Sequence, residues 1–276
     1  MTKTKQATEE KKTPSLNRVL AEINKKAGEQ VIGRISDLRS LDIERIPTGI
    51  SSLDDALGGG FPMRRMVELY GLPSGGKSLI SLLAIKSAQE KGLDCIYVDV
   101  EDSFDPVWAS KVGVDVDKLV VAQSSVGEDI MDMLCKLLDA QPAVIVVDSV
   151  AAMIPRVEQE ESVEKATMAL KARLMSRGLA KLTSLNKNTM FIFINQLRST
   201  LAMWGPQSTT TGGRALGHYA SIRVEVKKGD PIHEEDKKTK PIIGQIVNFN
   251  VTKNKTAPPY KFGSFKFWYE DCRIEV

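Results

Sequence analysis

The run Gly71-Leu72-Pro73-Ser74-Gly75-Gly76-Lys77-Ser78 constrains this chain more than any other feature. It lies between two apolar segments, Met66-Val67-Glu68-Leu69-Tyr70 and Leu79-Ile80-Ser81-Leu82-Leu83-Ala84-Ile85. The spacing G-x-x-x-x-G-K-[ST] in that setting predicts strand, tight turn and helix. Such a turn suits a triphosphate. Backbone N–H groups converge on phosphate oxygens, and the helix N-terminus adds partial positive charge. Glycines admit a close approach. Lys77 supplies a mobile cation for the terminal phosphates, and the Ser78 hydroxyl a ligand for magnesium. Lys91 and Gly92 mark the end of the helix.

A chain of 276 residues accommodates one sizeable core with an appendage. Apolar residues make up 42% and charged residues 26%, the balance of a globular fold in water. No apolar run approaches the roughly 20 residues of a membrane span. The opening Met1-Thr2-Lys3-Thr4-Lys5-Gln6 lacks the apolar stretch of a secretory leader. Cys95, Cys135 and Cys272 are odd in number and far apart, which argues against disulfides or a zinc site and for a reducing, cytoplasmic setting. A net charge of +3 is too small for bulk attraction to nucleic acid, so any DNA contact must rest on local placement of charge.

Residues 1–13 are polar and charged and read as a disordered tail. Residues 14–36 read as an N-terminal arm. There Leu16, Val19, Leu20 and Ile23 fall at helical spacing after Pro14-Ser15, Gly28 ends the helix, and Val31-Ile32-Gly33-Arg34-Ile35 has the composition of a strand. The arm either folds back on its own core or docks on a neighbouring subunit. Residues 37–276 form the core. Continuous apolar runs at 66–70, 95–100, 144–147 and 190–194 suit parallel strands buried on both faces. Helical segments separate them, so the fold class is α/β with a wound, mostly parallel central sheet. Ile222 to Lys227 and Gln245 to Val251 alternate strictly, which predicts antiparallel strands at one edge joined by a flexible hairpin loop over Gly229 to Pro241.

Several polar residues stand where those strands end. Asp148 closes the run 144–147 and suits either the water shell of magnesium or a helix cap. Glu101 ends the second strand and suits a general base for an attacking water, a role for which Asp99, Asp102 and Asp105 compete on spacing. Gln196 follows the fourth strand and Asn195. Its amide either senses a terminal phosphate or satisfies loop backbone. The segment Leu197 to Arg214 is long and aperiodic, and mixes arginine, hydroxyls, glycine pairs and apolar side chains. That mixture suits a phosphate backbone with stacked bases.

In this order the motifs resemble those of the RecA-type homologous recombinases. The likeness runs from about Ile46 to Phe267. It includes Pro47-Thr48-Gly49 with Ser52-Leu53-Asp54, the phosphate loop, Val98-Asp99-Val100-Glu101 with Asp105-Pro106, Val146-Val147-Asp148-Ser149, Phe193-Ile194-Asn195-Gln196-Leu197-Arg198 and Thr209-Thr210-Thr211-Gly212-Gly213. The resemblance implies a RecA-type P-loop ATPase core with a short helix-strand arm, ATP and magnesium as cofactors, and Glu101 as general base. It implies that Gln196 senses the γ-phosphate, that Asp105 and Trp108 contact adenine, and that Lys253 and Lys255 reach the ATP of the adjacent subunit. For DNA it implies a first loop near Glu158 to Ala172, with Met168, Arg173 and Ser176. A second loop would carry Arg198, Thr200, Leu201, Thr210, Thr211, Gly212 and Gly213. Met168 and Leu201 would wedge between base triplets.

The implied protein forms a homo-oligomeric helical filament on single-stranded DNA and pairs it with a homologous duplex, aided by a single-strand-binding protein and a loader. It works in the cytoplasm at the nucleoid, with no membrane partner. Departures from the pattern include Pro73 in the phosphate loop, an acidic first loop, and Gly217-His218 in place of a basic-aromatic pair. The bacterial protein's C-terminal domain is missing, so the expectation is a compact recombinase of a kind suited to a virus-infected bacterial cell. A recombination mediator of the same fold and a ring-forming DNA helicase share these motifs and are the alternatives.

Overall fold

A computed structural model describes residues 14–28, 30–34, 43–160, 168–199, 208–236 and 239–276. The chain divides into two units, Met1–Ile43 and Glu44–Val276. In the first, helix α1 (Leu16–Ala27) follows Ser15 and stops at Gly28, whose φ of 74° is left-handed. None of its residues is buried, and Leu16 is 71% exposed. The strand expected from Val31 does not form over the described residues 30–34. The Asn24 side chain takes the place of a neighbouring strand. Its Oδ1 accepts from Val31 N and Ile32 N, and its Nδ2 donates to the Ile32 carbonyl.

The second unit opens with β1 (Arg45–Ile46), α2 (Ser51–Leu57) and β2 (Phe61–Pro62). Strands and helices then alternate as β3 (Met66–Gly71), α3 (Lys77–Glu90), β4 (Cys95–Asp99), α4 (Pro106–Val112), β5 (Val120–Gln123), α5 (Gly127–Leu137) and β6 (Val144–Asp148). Next come α6 (Arg156–Glu160), α7 (Met168–Leu185), β7 (Met190–Ser199), β8 (Ser208–Thr210) and α8 (Ala215–Tyr219). The unit ends with β9 (Ile222–His233), β10 (Ile242–Asn254), β11 (Phe262–Trp268) and β12 (Ile274–Glu275).

The main sheet runs β12-β11-β10-β9-β3-β7-β6-β4-β5, with β8 paired to β7. From β9 to β5 every pairing is parallel, and from β9 outward to β12 every pairing is antiparallel. The parallel part is apolar on both faces because both are covered. Val67, Leu69, Val146 and Ile192 pack under α2, α3 and α4, while Met66, Val98, Ile145 and Phe193 pack under α5, α7 and α8. The antiparallel edge forms as expected, but the loop over 229–241 is shorter than expected. Strand β9 continues to His233, with Ile232 opposite Gly244 and His233 opposite Ile242.

This register aligns the chemistry. Gly71 of β3 is level with Gln196 of β7, and Asp99 of β4 with Asp148 of β6. All four lie at the C-terminal end of the parallel strands, where ligands of wound α/β sheets bind.

Candidate nucleotide site and adjoining loops

The phosphate loop is pressed against the sheet that carries it. A Cβ on Gly71 would stand 2.0 Å from the Val226 carbonyl oxygen of β9, and one on Gly75 would stand 3.0 Å from the same atom. Gly76 has a φ of 102° and abuts the Val247 side chain of β10. The glycines thus serve the loop's own seat as well as its ligand. Gly71→Ala is expected to lower stability by about 1–3 kcal/mol or more through overpacking. A denaturant midpoint equal to that of the native protein would contradict it.

Lys77 opens α3 and is only 7% exposed. Its Nζ donates to the carbonyls of Leu72 at 2.7 Å and Gly71 at 3.3 Å. Burial lowers its pKa, and the charges of Asp148 and Glu101 oppose that shift. Ser78 Oγ donates to Asp148 Oδ2 at 2.7 Å, and the Tyr97 hydroxyl donates to the same oxygen at 2.7 Å. Asp148 does not act as the cap of the turn that follows it, which begins after Ser149. Desolvation raises the Asp148 pKa, and the two hydroxyl donors partly oppose this. A serine hydroxyl beside a desolvated carboxylate is a hard-oxygen donor set, and it fits a magnesium ion held mainly by phosphates and water. Among the described residues no cluster of three or more acidic, histidine or cysteine side chains forms an all-protein metal cage. Ser78 and Asp148 are therefore the residues that would hold magnesium beside a triphosphate.

Glu101 stands beyond the end of β4. Its Oε1 accepts from Gln196 Nε2 at 3.1 Å and from Ser149 Oγ. The three acids that compete with it in the sequence are occupied elsewhere. Asp99 is buried and accepts from Ser103 N and Phe104 N, each at 2.9 Å. Asp102 accepts from Gln123 Nε2 at 2.9 Å, and Asp105 caps α4 through Val107 N and Trp108 N. Trp108, one turn into α4, packs edge-on against Phe267 with ring centroids 5.9 Å apart.

Gln196 does not follow its strand as expected. It lies inside β7, which continues to Ser199 and pairs with β8 through Leu197–Thr210, Arg198–Thr209 and Ser199–Ser208. The turn after β8 seats on α7. A Cβ on Gly212 would meet Met175 at 3.1 Å, and one on Gly213 would meet Ala172 at 3.0 Å. Arg173 and Ser176 are both exposed on α7. Ser176 follows Met175, which touches the Gly212 turn, whereas Arg173 lines a separate cavity with Glu128, Pro155 and Val157. Met168 begins α7, and Thr200 and Leu201 lie outside the described residues.

The model of the RecA N-terminal domain family matches residues 14–273. The chain belongs to the RecA family. Protein RecA of Haemophilus ducreyi is 42% identical to it over 274 residues, which span 97% of this chain and 72% of that protein. A solved structure, the RadB recombinase, is 21% identical with a TM-score of 0.62. It covers 83% of this chain and 98% of its own, a likeness of fold.

In this RecA-family chain the two lysines of the Lys253-Asn254-Lys255 run sit away from the protomer's own phosphate loop. Phe249 is level with Val226, the neighbour of Gly71, and Lys253 is opposite Arg223, three residues from Val226 on β9, about 10 Å at strand spacing. Lys253 Nζ donates to the carbonyls of Gly217 at 2.8 Å and His218 at 3.0 Å, in α8. Burial lowers its pKa, and the charges of Lys255 and Arg223 lower it further. Sequence reasoning missed Tyr97 and Ser149. Tyr97 lies within the apolar run 95–100, and nothing in its spacing announces a hydroxyl aimed at Asp148.

Proposed function

We propose that this protein is an ATP- and magnesium-dependent ATPase that polymerises on single-stranded DNA and promotes its pairing and strand exchange with a homologous duplex. The observation that carries this reading is the Gln196–Glu101 contact. The amide suited to a terminal phosphate touches the carboxylate suited to activating water, and its strand runs directly into the β7–β8 hairpin. Bound magnesium supplies neutralisation of the triphosphate's charge. Lys77 orients the terminal phosphates, Ser78 and Asp148 hold the ion's oxygen shell, and Glu101 takes a proton from the water aimed at the γ-phosphate. Gln196 exchanges its bond to Glu101 for one to that phosphate, and the hairpin follows its strand. Arg173, Ser176, Arg198, Thr200 and the turn 210–213 grip the DNA backbone, while Met168 and Leu201 separate base triplets.

The arm of residues 14–36 docks on the neighbouring subunit. The exposed apolar side chains of α1 support that role. The core of residues 37–276 carries the chemistry, and Lys253 and Lys255 serve the next protomer's ATP. Asp105 and Trp108 flank the adenine. The working compartment is the cytoplasm, and no described helix is long and apolar enough to cross a membrane.

The test is phosphate release with and without single-stranded DNA, alongside electron microscopy and a joint-molecule assay. Stimulated hydrolysis, helical polymers and joint molecules are expected. Polymers without joint molecules would instead mark a mediator of recombination.

Asp148 allows a second test. Its raised pKa means that its ionised form weakens the folded, nucleotide-free protein. Whatever stability it contributes is present at acid pH and lost as pH rises through its folded value. Asp148→Asn should therefore raise the melting temperature of the nucleotide-free protein near neutral pH. It should also raise the magnesium needed for half-maximal hydrolysis about 10- to 100-fold. An unchanged magnesium requirement would remove Asp148 from the ion's shell.

A further inference from the structure

The parallel register sets Glu68 of β3 beside Phe193 of β7 on one flank and Arg223 of β9 on the other. Glu68 is fully buried at 0% exposure, rare for a carboxylate in mid-strand. Arg223 Nε donates to its Oε2 at 2.5 Å, and Asn195 Nδ2 donates to its Oε1 at 3.0 Å. Asn195 is equally buried, and it faces two ways. Its Oδ1 accepts the backbone N–H of Gln196 at 2.9 Å, while its Nδ2 also donates to the Thr211 carbonyl at the exit of the hairpin at 3.1 Å. On the other flank the Arg223 guanidinium lies 4.6 Å over the Tyr70 ring, whose hydroxyl bonds Thr252 Oγ1 at 2.9 Å, next to Lys253.

Stability does not account for this cluster. An apolar side chain at position 68 would lie among Met66, Phe191 and Phe193 on the same face, and replacing both partners of a buried ion pair by apolar groups is often neutral or stabilising. Two features mark the hairpin exit as less tightly tied than the cluster beside it. A cavity of about 370 Å³ lined by Tyr70, Leu197, Thr210, Arg214, Gly217 and Arg223 adjoins it. The Thr211 hydroxyl is buried with no hydrogen-bond partner among the described residues.

From these contacts we infer that Glu68 is a positioning residue: by fixing the Asn195 amide it makes the Gln196 main chain and the hairpin exit at Thr211 shift together, so that nucleotide state sets the grip on DNA. The inference rests on the proposed function and adds to it the buried joint between the two sites. Glu68 touches neither ligand and acts only through Asn195 and Arg223.

The experiment compares Glu68→Leu, the double variant Glu68→Leu with Arg223→Met, and Glu68→Gln with the native full-length chain. Each is assayed for basal ATP hydrolysis, for thermal melting, and for affinity to a fluorescent oligonucleotide with a non-hydrolysable ATP analogue and with ADP. Native coupling of about 5- to 150-fold between the two nucleotide states is expected, falling to about twofold or less in both leucine variants. Basal hydrolysis should persist in all of them.

The double variant removes the orphaned guanidinium and should recover its melting temperature without recovering coupling. Glu68→Gln keeps an oxygen for Asn195 and should retain most of the coupling even where it melts lower. If Glu68→Leu alone does not fold, the double variant carries the same comparison. Coupling that returns in the double variant, or that tracks melting temperature across the series, overturns the inference alone. A native protein whose DNA affinity ignores nucleotide overturns the functional reading and this inference with it.

Discussion

Glu101→Gln is expected to lower the turnover number for ATP about 10²- to 10⁴-fold, the usual contribution of a positioned general base. The substitution is close to isosteric. The new side chain keeps an oxygen where Ser149 Oγ and Gln196 Nε2 now donate, so the strand ends should stay in place. It loses the ability to take a proton. Nucleotide affinity should hold, because Lys77, Ser78 and Asp148 are untouched. Filaments formed with ATP should then behave as those formed with a non-hydrolysable analogue do, persisting on DNA long after the native protein has let go. Single-turnover phosphate release and filament lifetime measure the two effects separately. Release at the native rate would mean that another group activates the water. Asp99, Asp102 and Asp105 are poor substitutes, since each already accepts hydrogen bonds that hold a turn, the end of β5 or a helix end.

That assignment shows where the sequence was legible and where it was not. Spacing placed Glu101 at a strand end with three rivals, and only the contacts made by the rivals separate them. The parallel strands were readable because burial on both faces leaves unbroken apolar runs such as Val144 to Val147. The edge was less readable. β9 continues past Lys227 and Lys228 because hydrogen bonding to β10 persists where the side chains are solvated, and alternation fades before the ladder does. Pro231 fits opposite Gln245 because register shifts flank that pair. β5 escaped notice for a related reason. It is the outermost strand, and Val120, Val121 and Gln123 are exposed. In the arm, a strand composition at Val31-Ile32 was satisfied by one asparagine side chain. The partners of Tyr97, Ser149 and Glu68 depend on which strands are neighbours. Strand order is set by packing of the whole sheet and leaves no mark at a single position. The lysine pair was legible only through the family resemblance, since spacing alone shows two lysines after a strand.

Replacing Lys253 and Lys255 together by alanine is expected to reduce DNA-stimulated hydrolysis about 10³- to 10⁵-fold, the range for a cation supplied to phosphoryl-transfer chemistry by a neighbouring molecule. The geometry argues for supply across an interface. Within one protomer Lys253 lies about 10 Å down the strand from the level of the phosphate loop. Its ammonium is turned to the carbonyls of Gly217 and His218. Lys255 is exposed just past the end of β10, and its backbone N–H donates to the Ser221 carbonyl. A mixing experiment isolates the direction of supply. Lys77→Ala protein has a disabled nucleotide site but an intact lysine pair, and the Lys253→Ala/Lys255→Ala protein has the reverse. In a head-to-tail polymer of equal parts, about one interface in four joins an intact site to an intact pair. Two nearly inactive preparations should therefore regain on the order of a quarter of native activity when mixed, a proportion that follows from the random pairing itself. Recovery should vanish at protein concentrations too low for polymers to form. If the mixture stays inactive while forming normal filaments, the lysines act within their own protomer, and the site must close by a motion that brings the far end of β10 toward its own phosphate loop. Lys255→Ala alone separates chemistry from support. Among the described residues it removes no side-chain hydrogen bond, so a large loss of hydrolysis with an unchanged melting temperature would be a loss of charge at the neighbour's site.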